Sequence, residues 1–340
     1  MTYEEVLAAA RNCSGPYCKA CPVCNGRACG NTIPGPGAKG LGGVAARNYQ
    51  KWQEICLNMD TIGESGGVDT TLSLFGRTFA LPVFAGPVGA MQLHYGDKYD
   101  DLTYNSLLVS ACRDSGILAF TGDGTNPAVM AGAAEAIRLA GGAGIPTVKP
   151  WDRDTVMEKL ALAGSADPVA VSMDIDAAGL PFLRGRTPPA GSKTVDELRE
   201  IATCAGRPFI LKGIMTPRGA EKAAKAGAAA IVVSNHGGRV LDQCPATAEV
   251  LPEIVAAVGK DLTILVDGGI RSGADIFKAL ALGADGVLIA RPFVTAVYGG
   301  GSQGVALYVQ KLRDELADVM AMCGVHRLAE IDSANADAWG

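Results

Sequence analysis

Eight short runs of aliphatic and β-branched residues recur along this chain, and each is followed by an Ala-rich stretch with helical spacing. The runs cover 81–85, 117–121, 146–151, 169–174, 209–213, 230–235, 263–267 and 286–290. The helical stretches include 100–115, 153–162, 195–205, 218–226, 246–258, 273–282 and 305–322. The runs are almost wholly apolar, as expected of strands buried on both faces of a parallel sheet. Strand–helix repetition builds parallel α/β folds, and eight units predict a closed (β/α)8 TIM barrel spanning 68–325. An open doubly wound sheet is the alternative.

Composition agrees with a large packed enzyme. Hydrophobic residues are 48 % of the chain, charged residues 19 %, and the formal net charge is −5. Disordered chains combine low hydrophobicity with high net charge, so that class is excluded. The slightly acidic balance argues against nucleic acid as a partner, which calls for a basic surface. Glycine, at 44 of 340 residues, is nearly twice its average usage of about 7 %, as tight active-site turns require. No apolar run reaches the roughly 18 residues of a membrane span. The opening MTYEEVLAAARN carries two acids and lacks the basic start of a secretory signal. The expectation is a soluble, cytoplasmic protein.

The flanks differ from the repeat. Residues 1–67 form an irregular, Cys-rich segment and lead-in, and 326–340 form a C-terminal tail. The stretch 30–43, GNTIPGPGAKGLGG, is rich in Gly and Pro and is expected to be irregular. VDTTLSLFGRTFALPV reads as a hairpin turning at Gly76-Arg77 and capping the barrel's N-terminal face.

Barrels of this type place their chemistry at the C-terminal strand ends. Here five consecutive strands end in charged or ionisable groups. Asp174 ends the fourth, with Asp176 two residues on and facing the same way. Lys212 lies near the end of the fifth. The sixth runs IVVSNHGGR, bringing Ser234, Asn235, His236 and Arg239. The seventh ends in Asp267-Gly268-Gly269 with Arg271 behind it, and Arg291 follows the eighth. DGGIRSG sets two glycines before a helix, so backbone N–H groups can approach an anion, and Arg271 and Arg291 add charged donors. This points to a phosphate after strands 7 and 8.

Five of the ten cysteines crowd the N-terminal segment as C-x4-C-x2-C-x2-C-x4-C. Cys18, Cys21 and Cys24 resemble the ligand run of a bacterial ferredoxin, with Cys29 one residue later than that pattern has its fourth thiolate. Cys18, Cys21, Cys24 and Cys29, with Cys13 as a further candidate, therefore read as a [4Fe-4S] site. A structural Zn site and a redox-active or incidental disulfide are the other two readings. The scattered Cys56, Cys112, Cys204, Cys244 and Cys323 read as buried thiols.

The strings ILKGIMTPRGAEKAAKAGAAAIVVSNHGGRVLD and VDGGIRSGADIFKALALGADGVLIARP resemble the FMN-dependent 2-hydroxy acid oxidase and dehydrogenase family, which includes glycolate and lactate oxidases. VDTTLSLFGRTFALPV, AGPVGAMQ and LRDELADVMAMCGV resemble family segments too. The resemblance runs from about Val68 to Val325 and implies an FMN-binding barrel that oxidises a small 2-hydroxy acid to the 2-oxo acid. It implies that His236 is the base, that Asp174 pairs with His236, and that Arg239 holds the substrate carboxylate. It further implies that Lys212 sits near the flavin N1/O2 edge and that Asp267 binds the ribityl chain. Gly269, Arg271 and Arg291 would hold the phosphate, and Ser234 and Thr121 would touch the flavin. A homotetramer is implied as well. The electron acceptor is not implied.

Three departures from the family accompany these matches. Lys149 and Trp151, in TVKPW, stand where the family has a QxY segment, and they are expected in the substrate pocket. The family's second tyrosine has no counterpart. Its second arginine has no match in register: in DIDAAGLPFLRGR, Arg184 or Arg186 could substitute only after a backbone rearrangement, and the loop between strands 4 and 5 is shortened. An FMN-dependent isomerase of the isopentenyl diphosphate type is an alternative that HGGR speaks against. A flavin- and metal-bearing redox sensor or electron carrier is another, and a pure carrier needs neither His236 nor Arg239.

Overall fold

The computed structural model describes residues 1–15, 17–30, 39–63 and 66–338. Eight parallel strands close into a barrel: β1 (Val83–Ala85), β2 (Leu118–Thr121), β3 (Ile145–Val148), β4 (Val171–Asp174), β5 (Phe209–Ile214), β6 (Ala230–Val233), β7 (Thr263–Val266) and β8 (Gly286–Ile289). Each strand pairs with its neighbour in sequence, and β8 closes onto β1 through Val287↔Val83 and Leu288↔Phe84. Apart from Gly213, which is half-buried, the residues of β1 to β6 and β8 are buried, as their apolar runs require. The open sheet is thereby excluded.

Helices follow the strands because the sequence encodes their starts. Asp100, Asn126, Asp152, Thr194, Thr216 and Ser272 each accept a first-turn backbone N–H and so satisfy a donor that the helix itself leaves unpaired. The helices they open are Asp101–Asp114, Pro127–Leu139, Arg153–Ser165, Val195–Ala205, Pro217–Lys225 and Gly273–Ala281. The hairpin pairs Leu72–Leu74 with Arg77–Phe79. Its turn lies at Phe75-Gly76, one residue before the expected Gly76-Arg77. Both turn residues have positive φ (51° and 71°), which matches the twist of a two-residue hairpin. Beyond it, Ala80 N–H bonds the Gly116 carbonyl just ahead of β2.

The flanks dock on the barrel. The cysteine stretch, described over 12–15 and 17–30, consists of turns and bends and lies between two helices that the pattern reading did not resolve. These are α1 (Tyr3–Arg11) and α2 (Val44–Glu54). The expectation of irregular structure over 30–43 falls largely on 31–38, outside the described residues. Helix α1 lies on the last helix, Arg291–Met322, which breaks at the left-handed Gly301 (φ 54°). Tyr3 stacks on Tyr308 at 5.0 Å. The C-terminal Ala336–Asp337 pairs antiparallel with Cys56–Leu57. Among the described residues no helix is long and apolar enough to cross a membrane.

A Cβ at Gly299 would collide with the Val6 carbonyl, whereas one at Gly164 meets nothing within 4 Å. Gly299→Ala is therefore expected to lower stability by about 1–3 kcal/mol by forcing α1 off the last helix. Gly164→Ala, in a helix, should stabilise by about 0.4–1 kcal/mol. Urea denaturation of both variants checks the contrast, and equal effects would refute this packing.

Candidate active site

Register brings the first charges together. Asp174 and Lys212 are paired neighbours on β4 and β5, and Lys212 Nζ donates to Asp174 Oδ1 at 3.0 Å. Lys149, just past β3, stands 3.7 Å from Asp174 Oδ2, and Asp267, just past β7, lies 3.6 Å from Lys212. Asp174, Lys212 and Lys149 are all buried. Burial alone would raise the Asp174 carboxyl, but Lys212, His236 and Lys149 outweigh it and hold it well below the usual carboxylate range. Burial would likewise lower Lys212, but Asp174 and Asp267 raise it, so its ammonium is firmly charged. Burial dominates at Lys149 and at Asp267, pushing the ammonium down and the carboxyl up.

His236 sits on a strained loop. It adopts a left-handed backbone (φ 55°), followed by Gly237 and Gly238 at 64° and 80°. A Cβ on Gly238 would lie 2.6 Å from the Val44 side chain of α2. Asn235 and Asn48 of α2 exchange two amide hydrogen bonds at 2.7 and 2.8 Å, and Ser234 Oγ accepts the His236 N–H at 3.2 Å. These contacts over-determine a conformation that costs a non-glycine residue about 1–3 kcal/mol.

The carboxylate bonded to His236 is Asp176, 3.0 Å from Nδ1. Asp174, the partner expected from the family resemblance, lies 3.8 Å away and is committed to Lys212. Gly213 explains the exchange. A register shift in β5 falls between Lys212 and Ile214, and a Cβ at Gly213 would lie 2.5 Å from Asp176 Cγ. The missing side chain makes room for the second carboxylate.

A cavity of about 270 Å³ opens over these groups, lined by His236, Arg239, Lys149, Asp174, His94 and Phe182 among others. Arg239 is buried, lies 6.0 Å from the Phe182 ring centre, and is pushed down to about 10 by burial. Arg184 and Arg186 are exposed and lie outside this cavity. Trp151, expected in the substrate pocket, does not line this cavity. Its indole donates to Asp123 at 2.6 Å, and it lines a separate pocket with Thr155 and Pro188. Asp123, in TGDG after β2, also accepts from Lys159 and from the Lys149 N–H. It braces the Lys149 backbone, a role that a lone aspartate in a glycine loop does not announce.

The donor set suits a flavin mononucleotide. Thr121, Thr147 and Ser172 carry buried hydroxyls without hydrogen-bond partners among the described residues. Thr147 and Ser172 share the facing of Lys149 and Asp174, two residues on. These hydroxyls and Lys212 would meet the polar edge of the ring. A second space joins His236, Arg239, Asp267 and Gly269 to the guanidinium groups of Arg271 and Arg291, cations of the kind a phosphate requires. Gly268 and Gly269 (φ 89° and 90°) serve a further purpose. A Cβ on Gly269 would lie 2.5 Å from the Asn48 carbonyl of α2, and Trp52 Nε1 bonds the Gly268 carbonyl at 2.8 Å.

Cys18, Cys21, Cys24 and Cys29 line one cavity of about 290 Å³ between α1, α2 and the start of the last helix. Arg271 and Arg291 line both this cavity and the space at the strand ends. Arg271 Nε donates to the Cys24 carbonyl at 2.6 Å. Cys13 stands apart, with its Sγ 3.1 Å from the Tyr298 carbonyl and 3.3 Å from Lys98 Nζ. Of the scattered cysteines, Cys112, Cys244 and Cys323 are buried, but Cys56 and Cys204 are exposed.

The chain belongs to the FMN-dependent dehydrogenase family, whose sequence profile it matches over residues 36–188 and 184–338. It is 47 % identical over 141 residues to an L-lactate oxidase of Nostoc sp., covering 42 % of this chain and 39 % of that protein. It is 50 % identical over 125 residues to an L-lactate dehydrogenase of Caulobacter sp., covering 37 % and 33 %. The chain thus spans between a third and two fifths of the length of these curated relatives. A crystal structure of a mandelate oxidase variant with 2-hydroxy-phenylacetamide superposes with a TM-score of 0.78 at 26 % identity, over 96 % of this chain and 95 % of that one.

Burial, with Arg239 and Lys149 nearby, pushes the His94 imidazole from 6.5 down to about 4. Between these values the unfolded chain binds a proton that the folded chain refuses, so stability falls as pH drops through that window, by up to about 3 kcal/mol. His94→Gln is expected to flatten the stability profile between pH 6.5 and 4, as read by chemical denaturation at each pH. An unchanged slope would place His94 in a solvated setting.

Proposed function

We propose that the chain is an FMN-dependent oxidoreductase that converts a small 2-hydroxy acid to the 2-oxo acid. The observation that carries this reading is the pairing of His236 Nδ1 with Asp176 at 3.0 Å on a cavity shared with two cations, Arg239 and Lys149. With Nδ1 donating to the carboxylate, Nε2 keeps its lone pair and is the nitrogen that takes a proton from the substrate. Asp176 holds the ring in that tautomer and stabilises the imidazolium that forms. Arg239 receives the substrate carboxylate through its planar fork, and Lys149 adds a second positive charge where the family has a neutral side chain. Burial strengthens both interactions by removing competing water.

Thr121, Ser172 and Lys212 would hold the flavin ring, Asp267 the ribityl chain, and Gly269, Arg271 and Arg291 the phosphate. FMN supplies, when bound, an acceptor for the hydride equivalent leaving the substrate α-carbon. Lys212 offers a fixed positive charge for the negative charge that this transfer adds to the ring. An electron carrier without a substrate is the weaker reading, because it has no use for a base oriented by its own carboxylate beside two carboxylate-binding cations.

The test is the anaerobic flavin absorbance before and after a mixed pool of short 2-hydroxy acids. The band is expected to bleach. His236→Ala should keep the flavin band and lose roughly 10²–10⁴-fold in the bleaching rate. A wild-type band that persists with every acid in the pool would overturn the substrate class.

A further inference from the structure

We infer that Cys18, Cys21, Cys24 and Cys29 bind a [4Fe-4S] cluster in the cavity beneath α1. Four cysteines separated by 2, 2 and 4 residues line one cavity of about 290 Å³. Each of the four is only partly exposed. The space is walled by folded elements: Tyr3 of α1, stacked on Tyr308, and Arg271, bonded to the Cys24 carbonyl. Lys19, Arg271, Arg291 and Lys311 also line it against the carboxylates of Asp275 and Glu315, and the positive excess complements the negative charge of a cluster held by four thiolates.

The spacing selects the ligand. A tetrahedral zinc site, with Zn–S near 2.3 Å, holds its sulfurs about 3.8 Å apart and leaves no cavity between them. Among the described residues no three cysteine sulfurs lie within 4.8 Å of one another. The four cysteines thus line one cavity with their sulfurs spread wider than a single ion holds its ligands, as a multi-atom cluster requires. Cys13-x4-Cys18-x2-Cys21 also has the spacing of a plant-type [2Fe-2S] site. The structure excludes that ligand set, because Cys13 turns toward Lys98 and the Tyr298 carbonyl, outside the cavity.

The cluster's place suggests its use, and this part rests on the reading under Proposed function. Arg271 and Arg291 form a shared wall between the cysteine cavity and the phosphate end of the flavin site. Oxidation of one 2-hydroxy acid releases two electrons and two protons. A cluster that accepts one electron at a time passes both, in two successive transfers, to an external one-electron acceptor, and the protons leave to solvent. Each turnover thus reduces two acceptors.

The experiment is the content of iron, acid-labile sulfide and zinc in the full chain purified without oxygen, with electron paramagnetic resonance after dithionite reduction. About four iron and four sulfide per chain are expected, with a signal from the reduced cluster. Cys21→Ser should lose the iron and the signal while keeping FMN and the far-UV circular dichroism of the barrel. Cys29→Ser serves the same purpose if that variant does not fold. Cys13→Ser should keep both iron and signal. Zinc without iron, two iron with two sulfide, neither metal, or a Cys13→Ser variant as depleted as Cys21→Ser would each overturn the proposal. Iron content and the dithionite signal need no substrate. Iron without turnover therefore supports the cluster and counts against the proposed reaction, and turnover without iron does the reverse.

Discussion

The buried ion pair between Lys212 and Asp174 is the constraint around which the mouth of this barrel is arranged. Two charges removed from water are tolerated only if each is compensated, because desolvation costs several kcal/mol per ion. Here a 3.0 Å contact between paired residues of adjacent strands does most of that, with Lys149 and Asp267 on the flanks. A one-residue slip of either strand would turn its charged side chain to the opposite face and leave the other buried without its partner. The pair therefore fixes register, and with it where the strand ends deliver their polar groups. It also occupies Asp174, so orienting His236 falls to Asp176.

A second dependence runs from the N-terminal segment to the site. Helix α2 holds the loops after β6 and β7 through Asn48, Trp52 and the close approach of its backbone to Gly269. Helix α1 holds the last helix, which opens at Arg291. The cysteine stretch lies between these two helices, against Arg271. The segment is consequently one wall of a cavity whose other side is lined by Arg271 and Arg291.

Much of this was legible in the chain, for identifiable reasons. The eight apolar runs appear as β1 to β8 because strands buried on both faces must be apolar throughout. The helices at 153 and 195 were readable from their spacing, and the structure shows Asp152 and Thr194 capping their starts. The reading failed where partners come from far away. Helix α2 escaped because half its buried face is Asn48 and Trp52, residues whose hydrogen bonds lie about 190–220 positions along the chain. Trp151 is expected in the substrate pocket only because TVKPW stands where the family has its QxY segment, and a local match of that kind does not show that the carboxylate of Asp123, 28 positions away, holds its indole.

Local periodicity and composition alone determined the barrel, the order of its strands and the set of ionisable residues at their C-terminal ends, because burial and capping act through neighbours in sequence. Only the tertiary structure decided how those residues pair. Asp174 and Asp176 face the same way and are chemically alike, and the choice between them rests on a register shift at Gly213 and on Lys212 from the adjacent strand. The same holds for the cysteines. Spacing brought five into view, and the packing of α1 on the last helix gathered four of them around one cavity and left Cys13 outside, because thiols converge only where the chain between them is held.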